Sequence, residues 1–422
     1  MPYLTLGLRN LIKHARKTIL TLLTVSLGFA CLLLAKGYTN YCLWGLRESI
    51  INGGVGHFQI HASGYADRNG DDDIRLIYGY RAALRELSLV PGVLFVAPRL
   101  SLTGLLTGRE STAIVVGHGG RYREEDKLMA FSTVDRGDGK SGDEAENIEE
   151  LQVRNVPASG AANGILIGRG VADTTGLSVG DDCVLSVATS SGAVNAMDFT
   201  VTGIVSTQLE EMENAFACVA LDTAQDLLGT PESIDTLIVM LTDTDAVAAT
   251  APIIRETCAR HGLEYRVWNE IVPYYEGASE FYSSAMNVAL VVILSVVVFA
   301  VANTTLMSFY DRMREIGAMR AVGMNAAQTV RLVGTESLLI GIGGCLAGIT
   351  LALTVACAVN AAGGIPLPPP PGNTRAYRGL IFVERLDALL YSVLFACVAL
   401  AASLVPARKA VRISISDTLR WI

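Results

Sequence analysis

Phe281–Tyr310, FYSSAMNVALVVILSVVVFAVANTTLMSFY, runs for 30 residues without one Asp, Glu, Lys or Arg. A helix needs about 20 apolar residues to cross the hydrocarbon core of a bilayer. Lipid offers the backbone no hydrogen-bonding partners, so a spanning segment must close its bonds internally, as a helix does. Three further uncharged stretches are comparable: Thr18–Ala35, Ser337–Thr374 and Ala388–Ala407. Their spacing is one span, a gap of about 240 residues, then three spans together. The chain is therefore expected to be a polytopic α-helical membrane protein in a 1 + 3 arrangement.

Charge placement orients the spans. Outside residues 42–280 there are 16 Lys and Arg against 6 Asp and Glu; inside there are 17 against 35, so the net charge of -8 conceals two opposite territories. Arg9, Lys13, Arg16 and Lys17 precede the first span, Arg312, Arg314, Arg320 and Arg331 join the second to the third, and Arg408, Lys409, Arg412 and Arg420 follow the fourth. Lys and Arg near span ends mark the cytoplasmic side. Both termini are then expected in the cytoplasm and the acidic segment outside, as an even number of spans requires.

The first span has an alternative as a signal peptide, which also begins with basic residues before an apolar run. Its apolar core exceeds the usual length of roughly 7–15 residues, and no small-x-small cleavage site closes it. Lys36, Tyr38, Tyr41 and Trp44 instead form an interfacial anchor. Gly28-Phe29-Ala30 before Cys31 is not a lipobox, so the span is expected to stay in place.

Hydrophobic residues make up 51% of the chain and mean hydropathy is +0.40, too apolar for an ordinary soluble protein and too polar for one wholly in membrane. The outer segment is long enough for its own core, divided into two subdomains. Cys31, Cys345, Cys357 and Cys397 fall in spans as small packing residues. Cys42, Cys183, Cys218 and Cys258 fall outside, where a disulfide is chemically permitted and an unpaired core thiol is equally compatible. The five His are scattered, and no Cys/His spacing matches a zinc site.

Within the outer segment, His57–His61 alternates like a strand, Tyr80–Leu89 has helical spacing, Pro91-Gly92 is a turn, and Val93–Pro98 and Leu105–Gly117 look extended. This is a mixed α/β pattern. Periodicity weakens over residues 121–160, where Asp135–Glu150 is acidic and Gly-rich; it reads as a solvated loop, with a docking site as the alternative. Order returns with Ile165–Ile167, a helix near Gly170–Thr175, a strand Cys183–Val187, and the period-two run Phe199–Val205. The sequence ILIGRGVADTTGLSVGDDCVLSV, then FTVTGIVSTQLEEMENAFACVALDTAQDLLG, then IDTLIVMLTD, over Gly164–Asp243, resembles the periplasmic core domain of MacB-type permeases, a family that includes the LolC and LolE lipoprotein-release subunits.

Between the second and third spans lies DRMREIGAMRAVGMN, Asp311–Asn325. By itself this is either a helical extension of the second span with Arg314 or Arg320 snorkelling to headgroups, or a short helix stopped at Gly323 that presents a knob to a cytoplasmic partner. It is similar to the "R..EIG..RA.G" segment of FtsX-like permeases. That resemblance implies that Arg314, Glu315, Ile316, Gly317, Arg320, Ala321, Gly323 and Met324 couple to an ATP-binding-cassette ATPase. Glu336 is the sole charge between Arg331 and Arg375. An ionisable group at membrane depth is costly and hence a functional candidate; the alternative is an interfacial carboxylate bonded to a neighbouring helix or solvated. Gly341, Gly344 and Gly348 permit close helix approach, either within the chain or between two copies. Gly364–Gly372, GIPLPPPPG, reads as a stiff connector, with a substrate or carrier contact as the alternative. Pro406–Arg412 and Asp417–Arg420 are similar to the ending common in this family.

No phosphate-cradling G-x-x-x-x-G-K-[ST] loop is present. The resemblance implies a MacB-type fold with residues 1–41 as cytoplasmic N-terminus and first span, 42–280 as periplasmic core domain, and 281–422 as FtsX-like permease domain. It further implies a non-catalytic permease of the bacterial inner membrane, with no cofactor on this chain and with ATP and Mg on a separate ABC ATPase. A second permease would pair with it as homodimer or heterodimer, with membrane lipid around it and no nucleic acid. The spans carry almost no polar lining, which suits force transmission better than a hydrophilic pore. The expected cargo is a lipoprotein or another amphipathic molecule, handed to a periplasmic carrier. The alternatives are MacB-like efflux of small molecules or peptides with an adaptor protein, and FtsX-like regulation of cell-wall hydrolases.

Overall fold

The computed structural model describes residues 7, 9, 10, 13, 15–64, 76–128, 133–135, 163–189, 192–206, 213–367 and 377–411. Four helices are long and apolar enough to cross a membrane, and a mixed α/β domain lies between the first and second in sequence. One compact unit gathers 1–44, 277–367 and 378–422, and the other centres on Gly45–Glu276.

The spanning helices are Ala15–Ile50, Tyr274–Asp311, Ala326–Ala361 and Arg385–Val411. Three agree with the uncharged runs, extended at one or both ends by polar turns. The third does not. It begins 11 residues before Ser337, taking Arg331 and Glu336 into the helix, and it stops at Ala361 instead of reaching Thr374. The stop has a backbone cause: Gly363 and Gly364 both adopt positive φ, 82° and 87°, a region that side chains disfavour. Phe29, Leu32 and Leu33 of the first span pack with Val297 and Val301 of the second, Cys345 and Ala352 of the third, and Phe395 and Ala399 of the fourth. Phe29 and Phe395 meet edge-on, with ring centroids 5.0 Å apart.

At the far end of the first span, Tyr41 and Trp44 meet Phe382 from the segment before the fourth helix, ring to ring at 5.1 and 5.7 Å. The Phe382 N–H donates to the Gly37 carbonyl at 3.0 Å. Phe382 thus joins the anchor read at Lys36, Tyr38, Tyr41 and Trp44 as a further aromatic member.

The α/β unit is built around the strand Val93–Thr107. Its first half joins an antiparallel sheet ordered Leu263–Val267, Phe58–Ala62, Thr236–Leu241, Val93–Thr107. Helices Arg81–Ser88 and Val247–Arg260 add Leu87, Ile254 and Cys258 to that core. Its second half enters a closed ring of six strands: Val93–Thr107, Thr112–Gly120, Phe216–Ala220, Gly164–Gly168, Val194–Ser206 and Asp182–Ala188, which pairs back to Val93–Thr107. Ring closure removes the open edges that a sheet must otherwise protect. Leu106, Val115, Leu185, Phe199, Val201 and Val219 belong to the same hydrophobic cluster as Phe58, Leu87 and Ile254. The two subdomains expected from length therefore share one strand and one core. The extended run read over Leu105–Gly117 is a hairpin turned at residues 108–111, with Leu105 opposite Ile114. Within 121–160, Tyr122–Leu128 is a helix and Thr133–Asp135 a strand. The acidic stretch 136–150, the Pro-rich 368–372 and the ending 412–420 lie outside the described residues.

Candidate functional site

The segment between the second and third spans is shaped by three local devices. At Arg312 the backbone leaves helical geometry (φ -110°, ψ 15°), which separates the second span from a nine-residue helix, Met313–Ala321. That helix ends in a Schellman motif: the Met324 N–H donates to the Met319 carbonyl, the Gly323 N–H to the Arg320 carbonyl, and Gly323 sits at φ +113°. Asn325 then opens the third span with a capping box, its Oδ1 accepting from the Gln328 N–H at 2.9 Å while Gln328 Oε1 accepts from the Asn325 N–H at 2.8 Å. The coupling candidate is thus a helix set off from the second span by a break at Arg312, not an unbroken extension of it.

The helix has two faces. Met313, Ile316 and Gly317 are buried, with Met313 and Ile316 packing on Phe309. Arg314, Glu315, Ala318 and Ala321 are exposed, Arg320 and Met324 half-buried, and Gly323 exposed. Val322, absent from the residues singled out in the sequence, is 91% exposed at the tip. Its position beside the glycine stop at Gly323 was the only signal in the sequence, and exposure is not legible there.

Around this helix the charges pair. Lys13 Nζ lies 2.6 Å from Glu315 Oε1 and Lys17 Nζ 2.5 Å from Asp311 Oδ2. The Lys13 ammonium holds the Glu315 carboxyl below its usual range. Glu336 is buried, 8% exposed, and its Oε1 accepts from Arg312 Nη1 at 2.8 Å and from Asn10 Nδ2 at 2.6 Å. It is therefore bonded to neighbouring elements, in keeping with the reading of a carboxylate held by a neighbouring helix, and it is not solvated. Thr21 and Thr304 hydroxyls meet at 2.6 Å, and Thr305 and Ser337 at 3.4 Å. A polar seam thus lines one end of the bundle, where an almost apolar lining was expected.

Gly341, Gly344 and Gly348 are buried away from that end, on two faces of the third span. Gly344 and Gly348 face Val25, Ser26 and Phe29 of the first span, and Gly341 faces Ala396 and Ala399 of the fourth. Of the two uses left open by their spacing, packing within the chain is the one they serve.

In the α/β unit, His118, Glu125 and Cys218 bring three ligand-type atoms within 4.8 Å of one another. Both Glu125 oxygens are already engaged: Arg99 donates to them through Nε and Nη2 at 2.7 and 2.6 Å, and His118 Nε2 lies 3.0 Å from Oε2. The Arg99 guanidinium already balances the carboxylate charge, and burial drives the Cys218 thiol upward in pKa, against the thiolate a metal requires. Glu125 serves here as the buried partner of Arg99. Arg99 Nη1 also donates to the Gly54 carbonyl at 2.7 Å, tying the strand to the π-helical turn Ile51–Val55 that continues the first helix. All eight cysteines are unpaired; burial raises Cys183 to about 11 and Cys258 to about 12.

Comparison with known proteins gives two family matches along the chain. Residues 18–257 match the MacB-like periplasmic core domain, and residues 287–415 the FtsX-like permease C-terminal domain. The lipoprotein-releasing system transmembrane protein LolC of Neisseria meningitidis serogroup B is 25% identical over 99% of this chain and 98% of its own length. LolE of Haemophilus influenzae is 22% identical over 66% of this chain and 64% of its own. The ABC transporter permease YtrF of Bacillus subtilis is 30% identical over 34% of each. Among solved structures, the periplasmic region of MacB from Actinobacillus actinomycetemcomitans covers 54% of this chain and 95% of its own at 14% identity and a TM-score of 0.36. With the core-domain match spanning more than half of its residues and the permease match following it, the chain belongs to the MacB/FtsX-like family of ABC transporter permeases.

Proposed function

We propose that this permease is the membrane half of an ATP-driven machine in which the segment Arg314–Met324 receives a separate ABC ATPase and passes its motion through the spans to the extracytoplasmic domain. The observation that carries this reading is the short helix Met313–Ala321, set off from the second span at Arg312 and closed at its C-terminal end by a Schellman motif, with its apolar edge buried and Arg314, Ala318 and Val322 facing outward. A short helix with a buried apolar edge and a capped C-terminal end suits the transmission of displacement. ATP and Mg²⁺ belong to the partner, and this chain takes part in no bond-breaking step. The clusters of Lys and Arg at this end support a cytoplasmic location for it and for both termini.

The second span supports pairing with another permease. Only one stripe of it is buried, Val297, Val301, Thr305 and Phe309, while Val288, Val291, Val292, Val296 and Phe299 are exposed. That surface is left for lipid and for a second permease, identical or different.

The cargo proposed is a lipoprotein or another amphipathic molecule taken from the outer leaflet and passed to a periplasmic carrier. End-to-end similarity to a protein of a lipoprotein-releasing system supports this choice. The test is to purify the full chain with its companions in mild detergent and identify them by mass spectrometry. An ATPase together with an acylated protein is the expected result. An ATPase with an adaptor protein would replace this cargo with efflux, an ATPase with a cell-wall hydrolase would replace it with hydrolase regulation, and no ATPase at all would overturn the reading.

A further inference from the structure

Arg312 occupies the one residue between the second span and the coupling helix at which the backbone is not helical. A charged residue at such a break ordinarily turns to solvent. Arg312 instead points into the bundle and is only 5% exposed. Its Nη1 donates to Glu336 Oε1 of the third span at 2.8 Å and its Nε lies 3.4 Å from Glu315 Oε2 of the coupling helix. Each carboxylate is held a second time: Glu336 by Asn10 at 2.6 Å, and Glu315 by Lys13 at 2.6 Å. The result is one connected series, Lys13, Glu315, Arg312, Glu336, Asn10, that ties the residues before the first span, the coupling helix and the third span together.

From this geometry we infer that Arg312 is the positioning residue of the coupling helix: through Glu336 it locks the direction of Met313–Ala321 to the third span, so that displacement of the helix moves that span. The physical basis is the burial of the pair. A guanidinium and a carboxylate withdrawn from water hold each other in one geometry, because every other arrangement leaves one of them desolvated and unpaired. Lys13–Glu315 and Lys17–Asp311, both about half exposed, lack that penalty and cannot impose a direction. Met313 and Ile316 also pack on Phe309 of the second span, an apolar contact that fixes no direction toward the third. Without Arg312, the buried tie from this junction to Glu336 of the third span would be lost.

This inference rests on the ATPase-coupling reading for its purpose, but its geometry can be tested without the ATPase. Hydrogen exchange on the full-length protein in detergent reports the coupling helix directly. Arg312→Gln and Glu336→Gln are each expected to speed exchange across residues 314–321 about tenfold, with residues 340–356 of the third span unchanged. The double variant R312Q/E336Q is expected to be no looser than either single one, since both remove the same joint. Arg312→Lys keeps the charge but not the fork and is expected to fall between; it serves if the neutral variants do not fold. Unchanged exchange in the single variants, or additive effects in the double one, would overturn the inference. In complex with the ATPase, loosened variants should still bind it while losing stimulation of ATP hydrolysis about fivefold or more. Full stimulation from a loosened helix would overturn the role of Arg312 alone, whereas failure of the wild-type chain to bind any ATPase would overturn the coupling reading and leave the joint standing.

Discussion

Gly344 of the third span lies so close to Val25 of the first that a Cβ placed on the glycine would stand 2.5 Å from Val25 Cγ1. Four residues on, a Cβ at Gly348 would stand 2.8 Å from the Ser26 carbonyl oxygen. The two helices approach along a strip with no room for a methyl group, and such approach is how membrane helices gain packing where water supplies no drive.

Gly344→Ala and Gly348→Ala are therefore expected to lower stability by about 1–3 kcal/mol each through overpacking. Gly343, whose added Cβ would meet only Leu22 at an ordinary 3.4 Å, is the control and should tolerate Ala. Thermal unfolding of the detergent-solubilised protein, followed by size-exclusion of heated samples, checks both. Equal melting of the 343 and 344 variants would show that the first and third spans are not held by this strip.

The Arg99–Glu125 pair gives a second test. Both side chains are buried, and Arg99 also satisfies the Gly54 carbonyl. Glu125→Gln should cost about 3–5 kcal/mol, because it strands the guanidinium in the core. Arg99→Met with Glu125→Leu should recover much of that loss, leaving the Gly54 carbonyl and the His118 Nε2 without the partners they had. Urea unfolding of the full chain, read by near-ultraviolet circular dichroism, compares the two.

The spans and the α/β domain were legible because long uncharged runs and period-two alternation are local signals. What was missed depends on partners far away in sequence. The third span seemed to begin after Glu336, since a hydropathy run stops at a charge; the helix continues through it because Arg312 pairs with the carboxylate. The ring of strands closes by pairing Thr112–Gly120 with Phe216–Ala220, about a hundred residues on, and no periodicity announces that. Arg312 was visible as one of several basic residues in its loop, but composition cannot say which of them turns inward. The hairpin at 108–111 is different: its Gly-Arg-Glu-Ser turn was there to be read.

His57 and His61 make the domain sensitive to acid. Burial, with the Arg47 charge adding to it for His57, lowers both to about 4 from the ordinary 6.5. His57 Nδ1 accepts from the Leu241 N–H at 3.1 Å, so Nε2 carries the ring proton towards Thr244 Oγ1 at 3.0 Å, and that hydroxyl donates to Glu48. A second proton on Nδ1 would set two donors against each other. The folded state thus binds fewer protons than the unfolded state between the two pKa values. Stability should be level above pH 6.5, fall as pH drops from 6.5 to 4, and lose roughly 3 kcal/mol per histidine at the low end. Urea midpoints at pH 7.5, 6 and 5 check the slope. His57→Asn, which keeps an acceptor for Leu241 but no titrating ring, should remove about half of it.

The two faces of the coupling helix divide the residues that the sequence grouped together. Arg314 and Val322 face outward, so Arg314→Ala and Val322→Asp should change stability by no more than about 0.5 kcal/mol. If the ATPase docks on this face, the same substitutions should weaken its stimulation about tenfold, the effect of losing about 1.4 kcal/mol of contact energy. Ile316 faces inward against Phe309, so Ile316→Ala should destabilise the helix by about 2–5 kcal/mol. Its effect on stimulation would then follow from a loosened helix, and it should be visible in hydrogen exchange even in the absence of the ATPase. Measured together, melting temperature and ATPase stimulation separate the faces: outward variants should lose the second alone, inward ones both. A Val322→Asp protein that stimulates the ATPase fully would move the docking surface off this helix, since no other side chain on Met313–Met324 combines apolar chemistry with exposure of 91%.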